Sequence, residues 1–158
     1  MKKLLMAFAT FAMICACSGE VEPLQYRGLS MGLPTAQFLD SLLARGFVID
    51  SAHCDSGKLT VLTSDAVTYK LLVANDKDSV LAVQENYTAS DNDSTRQLWQ
   101  QMRDDLEKEL GTWPNCPKLG DDHKIANFET DGGFIILTLK NTYTPTMQVR
   151  YEAKAPEK

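Results

Sequence analysis

"AVTYKLLVANDKDSVLAVQENYT" (Ala66–Thr88) is the stretch from which the fold is read. In its first half Val67, Tyr69, Leu71 and Val73 fall on every second residue, the pattern of a strand that buries one face. "NDKD" then supplies turn residues, which bond their own backbone and tolerate tight φ angles. The second half, "SVLAVQENYT", alternates less cleanly but is rich in β-formers. Two strands joined by a short polar turn predict an antiparallel hairpin. Upstream, "FVIDSA" (Phe47–Ala52) and "KLTVLTS" (Lys58–Ser64) extend the same meander, with breaks at "CDSG" and "SD". Downstream, three more strands are expected, at His123–Glu129, "GFIILTLKN" and "TMQVRYEA", with "TDGG" as the tight turn before the second.

Each group of strands is preceded by a helical pattern. "LPTAQFLDSLLARGF" has Pro34 in its first turn, where a missing N–H costs nothing. Phe38, Leu39, Leu42 and Leu43 form one apolar face, and Gly46 stands where a left-handed cap is wanted. The longer helix is expected over Thr95–Leu110, capped by Asp93 or Ser94 and ended by Gly111. Leu98, Met102, Leu106 and Leu110 lie four apart with Trp99 beside them, and Arg103–Glu107 and Asp104–Lys108 are set for i,i+4 ion pairs. "YRGLSMG" near the start reads as a short strand and turn, and "TWPNCPKLGDD" as an irregular connection stiffened by two prolines.

The order is therefore short strand, helix, meander, helix, meander. The fold class this predicts is α+β: a mostly antiparallel sheet with two helices on one face. One domain is expected over residues 24–154, with 155–158 as a frayed tail. Both parts run helix, glycine, strands, with "LLARGF" and "LEKELGTW" as the matching points. That suggests two helix-plus-meander modules in tandem, halves 24–90 and 91–154. This element order is similar to that of the small secreted β-lactamase inhibitor proteins. The segment Gly32–Phe47 also resembles the small lipoprotein of the barrel-assembly machinery. Neither likeness carries a functional residue over to this chain.

Before the domain stands "MKKLLMAFATFAMICACSGE". Lys2 and Lys3 precede an apolar run of 11 residues, Leu4–Ile14. That run falls short of the roughly 20 residues needed to span a bilayer and has the layout of an export signal. Ile14-Cys15-Ala16-Cys17 resembles the lipobox of bacterial lipoproteins. The resemblance implies cleavage after residue 16, diacylation of Cys17 and a tether over residues 17–23. Ser18 after the cysteine, with no aspartate, implies the outer membrane. With Cys15 removed and Cys17 lipidated, Cys54 and Cys116 are left as a candidate bridge or as two thiols. A bridge would close about 60 residues and stabilise by roughly 4 kcal/mol.

Chemistry is sparse. The chain has 158 residues, 44% hydrophobic and 23% charged, with a net charge of −5. Without residues 1–16 the remainder has 14 basic and 21 acidic groups, a net −7. It lacks the clustered Lys and Arg that nucleic acid requires. His53 and His123 have no partner at metal-ligand spacing, and the aspartates of "NDKD" and "DND" miss the pattern of a calcium loop. These are read as loop, turn and cap residues, and no metal or cofactor is expected. No GxSxG, SxxK, HExxH or CxxC occurs, nor a phosphate-binding glycine motif. Trp113, in the proline-bounded loop, either anchors a partner or plugs the end of the core. The expectation is a lipid-anchored, non-catalytic module of the cell envelope that faces the periplasm or the surface. Its partner is an envelope protein or a small ligand held on the open face of the sheet. The alternatives are an accessory subunit of an outer-membrane complex and a protein inhibitor.

Overall fold

The computed structural model describes residues 21–88, 91–120, 122–140 and 145–154. The expected signal and lipid-bearing cysteine, residues 1–20, lie outside these, as do Tyr143 and the tail 155–158. A two-stranded hairpin comes first, β1 (Gln25–Tyr26) and β2 (Leu29–Ser30). Helix α1 (Thr35–Ala44) follows, then β3 (Val48–Ile49), β4 (Leu59–Thr63), β5 (Tyr69–Asp76) and β6 (Ser79–Thr88). Helix α2 (Asn92–Leu110) leads into β7 (His123–Thr130), β8 (Gly133–Lys140) and β9 (Thr146–Ala153). Strands β3 to β9 form one antiparallel sheet in the order β3-β4-β5-β6-β9-β8-β7. The last strand of each meander, β6 and β9, therefore pair at its centre, with Val83 opposite Tyr151 and Glu85 opposite Val149.

Parity along the strands decides the two faces. Leu71 and Val73 of β5, Val83 of β6, Leu137 and Leu139 of β8, and Met147 and Val149 of β9 join one core. Phe38 and Leu42 of α1 and Trp99 of α2 belong to the same core, so both helices pack on that face. The uneven alternation of "SVLAVQENYT" has a local cause. The β5–β6 register shifts between Ala74 and Asn75, which leaves Leu81 without a partner and 46% exposed. Such a bulge changes the parity of the strand, so Val80 and Val83 can both be buried.

The helix ends differ in part from the sequence expectation. Helix α1 ends as expected, with Gly46 at φ 89°, but Leu43 turns outward while Phe38 and Leu42 are buried. Helix α2 begins at Asn92 rather than Thr95. Its N-cap is Asp91, whose carboxylate accepts from the Ser94 amide at 2.8 Å; Asp93 lies in the first turn instead. Arg103 turns to its neighbour Asp104 at 2.6 Å instead of Glu107. Asp104 takes a second hydrogen bond from Gln100 at 2.9 Å.

The β1–β2 hairpin is a separate element wedged over the sheet between the helices. Tyr26 is 1% exposed, packs edge-on against Tyr151 at 5.1 Å and lies tilted against Phe38 at 6.5 Å. The chain enters the hairpin beside Gly132 in the β7–β8 turn. A methyl there would collide with the backbone of Glu22 and Leu24. Gly132→Ala should therefore cost about 1–3 kcal/mol. It should also expose the Met31 amide, which donates to Leu24 O at 2.9 Å, to hydrogen exchange before any sheet amide. Unchanged protection of Met31 in that variant would show that the contact is dispensable.

Candidate functional site

The sheet's packed face carries one charged residue at its centre. Glu85 lies on β6 in the same parity as Val83 and Tyr87, and it is 0% exposed. A carboxylate so placed needs partners, because burying a lone charge is far costlier than burying a paired one. The hairpin supplies them. Arg27 sits at its turn with φ 46°, followed by Gly28 at φ 74°. A positive φ at a non-glycine residue is costly. Here Arg27 is held in place by its contacts. Its Nε donates to Glu85 Oε1 at 2.6 Å and its Nη2 to Oε2 at 3.2 Å, while Arg45 donates to its carbonyl at 3.2 Å. Tyr26 donates to Oε1 at 2.9 Å and Tyr87 to Oε2 at 2.6 Å. The guanidinium also lies 5.5 Å above the Tyr69 ring. Hydrogen bonding to Glu85 raises the Arg27 pKa, so its charge is permanent.

Arg27, Gly28 and Glu85 line a cleft of about 570 Å³ between the hairpin and α2. Ile135, Val149 and Leu106 give it an apolar wall, and Asp105, Glu109 and Asp131 an acidic rim. Among the described residues no histidine, cysteine or serine lines it. Burial first, then the Glu85 charge, pushes the phenols of Tyr26, Tyr87 and Tyr151 well above their ordinary range. A group whose pKa is raised by folding stabilises the fold below its unfolded pKa, and that stabilisation is lost as the unfolded chain ionises. Stability should therefore be flat in these groups below about pH 10. Above it, stability should fall by about 4 kcal/mol per pH unit for three phenols. The phenolate absorbance at 295 nm should rise together with loss of the β circular dichroism. Titration of those tyrosines within an intact sheet would contradict the arrangement.

Among the described residues no helix packs on the opposite face of the sheet. There Arg150 donates to Gln84 Oε1 at 3.3 Å and to Glu152 Oε2 at 3.0 Å, and Gln84 donates to Asn86 at 2.7 Å. This polar ladder runs across the central β6–β9 pair beside half-buried Phe134 and Ile136. It is a surface able to offer amide, guanidinium and carboxylate groups together.

The sequence candidates lie elsewhere. Cys17 is outside the described residues. Cys54 and Cys116 are free thiols, and the bridge considered for them does not suit this topology. Cys54 lies in the β3–β4 connection, where its sulfur accepts from the Val61 amide at 3.3 Å. Cys116 follows Asn115, which pairs with Asn127 on β7, at the other edge of the sheet. Strands spaced by about 4.8 Å put those edges roughly 25–30 Å apart, against a limit of about 7 Å between bridged Cα atoms. Trp113 is 83% exposed, so it does not plug the core. His53 pairs with Asp50 at 2.8 Å on the surface, and His123 begins β7. Among the described residues no group of three His, Cys, Asp or Glu side chains is placed to hold a metal ion. Glu85 was missed because its sign in the sequence, a charge at an inward position of a strand, resembles an ordinary break in the alternation. Comparison with protein families, curated proteins and solved structures finds no match to this chain.

Proposed function

We propose that this chain is a lipid-anchored protein of the bacterial outer membrane, attached through Cys17, whose domain is a non-catalytic binding module. The anchor reading rests on the lipobox-like Ile14–Cys17 and on how soon the domain starts after it, with Leu24 as the first buried residue among those described. The binding reading rests on the helix-free face of the sheet, where an antiparallel sheet offers one solvated side to a partner while the other forms the core. The partner is an envelope protein or a small ligand. The domain is also read as two helix-plus-meander modules in tandem. In support, each half runs from a helix into a meander, and their last strands pair antiparallel at the centre, as two related halves facing each other would.

Two measurements test this. Cys17→Ala should abolish palmitate incorporation and release the protein from membranes; a variant that still partitions and labels would end the anchor reading. A photo-crosslinker in place of Gln148, on the helix-free face, should capture one species from solubilised membranes, whereas one in place of Gln101 on α2 should not. Equal capture from both positions would end the binding reading. A stoichiometric membrane complex would select the accessory-subunit alternative, and a single captured enzyme the inhibitor.

A further inference from the structure

A cavity of about 270 Å³ opens between α2, the start of β7 and the loop that carries Cys116. Among the described residues its charged lining is basic: Arg103, Lys118 and Lys124, with His123 beside them. This is unusual in a chain whose expected mature form carries a net −7. Arg103 is shared with Asp104, while Lys118 and Lys124 make no ion pair among the described residues. Arg103 and Lys124 lie 5.7 and 5.6 Å from the centroid of the Trp99 ring, so both cations contact the indole. Trp99 itself lines the cavity, is 4% exposed, and its Nε1–H is buried with no acceptor among the described residues. A buried donor without a partner is costly and calls for a specific explanation. Like-charged side chains gathered from α2, β7 and the loop are a second cost. One small oxyanion lying between the lysines would relieve the second.

We propose that this cavity is a binding site for a phosphate group, held by Lys118, Lys124 and Arg103 beside the Trp99 ring. The volume suits a phosphate or a compact phosphate monoester and falls just below the range of drug-sized pockets. Charge-assisted hydrogen bonds from ammonium and guanidinium groups are the strong contacts for such a ligand. The acidic remainder of the surface excludes long polyanions but not a single phosphate. The two sources of this chemistry are the free ion and a phosphorylated lipid headgroup. The site lies on the helical side of the sheet and does not depend on the partner face proposed above.

The test uses the full chain, ¹⁵N-labelled and in detergent micelles, at low ionic strength, with Trp113→Phe to assign the two indole resonances. Titration with inorganic phosphate or with glycerol 3-phosphate should shift the Trp99 indole signal saturably and leave that of Trp113 in place. Tighter binding of glycerol 3-phosphate assigns the site to headgroups, and tighter binding of phosphate to the free ion. Lys118→Gln, which leaves the cations on the Trp99 ring untouched, should weaken binding about tenfold, as should Lys124→Gln. The proposal is overturned if neither probe shifts Trp99 saturably, if chloride at matched ionic strength does the same, or if both variants bind like the parent.

Discussion

Arg27→Met should destabilise the domain by about 3–5 kcal/mol, the cost of breaking a buried ion pair from one side. The side matters. The Arg27 side chain is 47% exposed while that of Glu85 is 0% exposed. Removing the arginine leaves a carboxylate sealed in the core, with two tyrosine hydroxyls but no counter-charge. Glu85→Leu instead returns the guanidinium to water and leaves the hydroxyls of Tyr26 and Tyr87 without their acceptor. That variant should be milder, at about 1–3 kcal/mol. In the Arg27→Met/Glu85→Leu double variant the trapped charge is gone, so the two losses should not add. Much of the Arg27→Met loss should be recovered, giving a coupling of about 2 kcal/mol or more. Urea unfolding followed by circular dichroism gives all three values. Strict additivity, or a loss below about 1 kcal/mol for Arg27→Met, would mean that the pair does not hold the hairpin to the sheet.

Phe38→Ala should cost a similar amount, about 3–5 kcal/mol for an aromatic deletion in a tight core, and its effect should be local. Helix α1 has 10 residues and no side-chain hydrogen bond at its N-cap, and its end turns carry no charge complementary to the dipole. A helix of that length is marginal in isolation. It is kept by what it buries, chiefly Phe38 and Leu42, both 0% exposed. With Phe38 gone, amides of α1 should exchange far sooner than those of β5, β6, β8 and β9. Uniform acceleration across helix and sheet would show instead that α1 and the sheet unfold as one unit.

The long strands were legible because their apolar period survives in the sequence: β6 and β9 fall on the stretches read as strands, and β8 differs by one residue. What failed were features set by distant partners. Glu85 and Arg27 stand 58 positions apart, and nothing local announces that a hairpin will fold back over the strand. The bulge at Leu81 hides in the same stretch, since a parity change resembles weak alternation. The N-cap of α2 was missed by two residues because "SDNDS" holds several side chains able to cap, and backbone geometry chose Asp91. The basic cavity draws on α2, β7 and the loop between them. Its cations are separated by acids in the chain, so no charge run marks it.

The two ends of the domain share a neighbour. Gly132 touches the chain at Glu22–Leu24 on one side, and on the other its carbonyl accepts from the amide of Lys154 at 3.0 Å. The polypeptide is thus nearly a closed ring, fastened at one corner. A short linker joining Lys154 to Leu24 would close that ring, and new ends opened in the exposed Ser51–Gly57 connection would leave every core strand whole. If Cys17 is held in a membrane, Lys154 lies at the corner where Glu22–Leu24 enter the domain. Cargo fused there would sit close to the bilayer, whereas cargo at Ser51–Gly57 would be carried at an edge of the sheet.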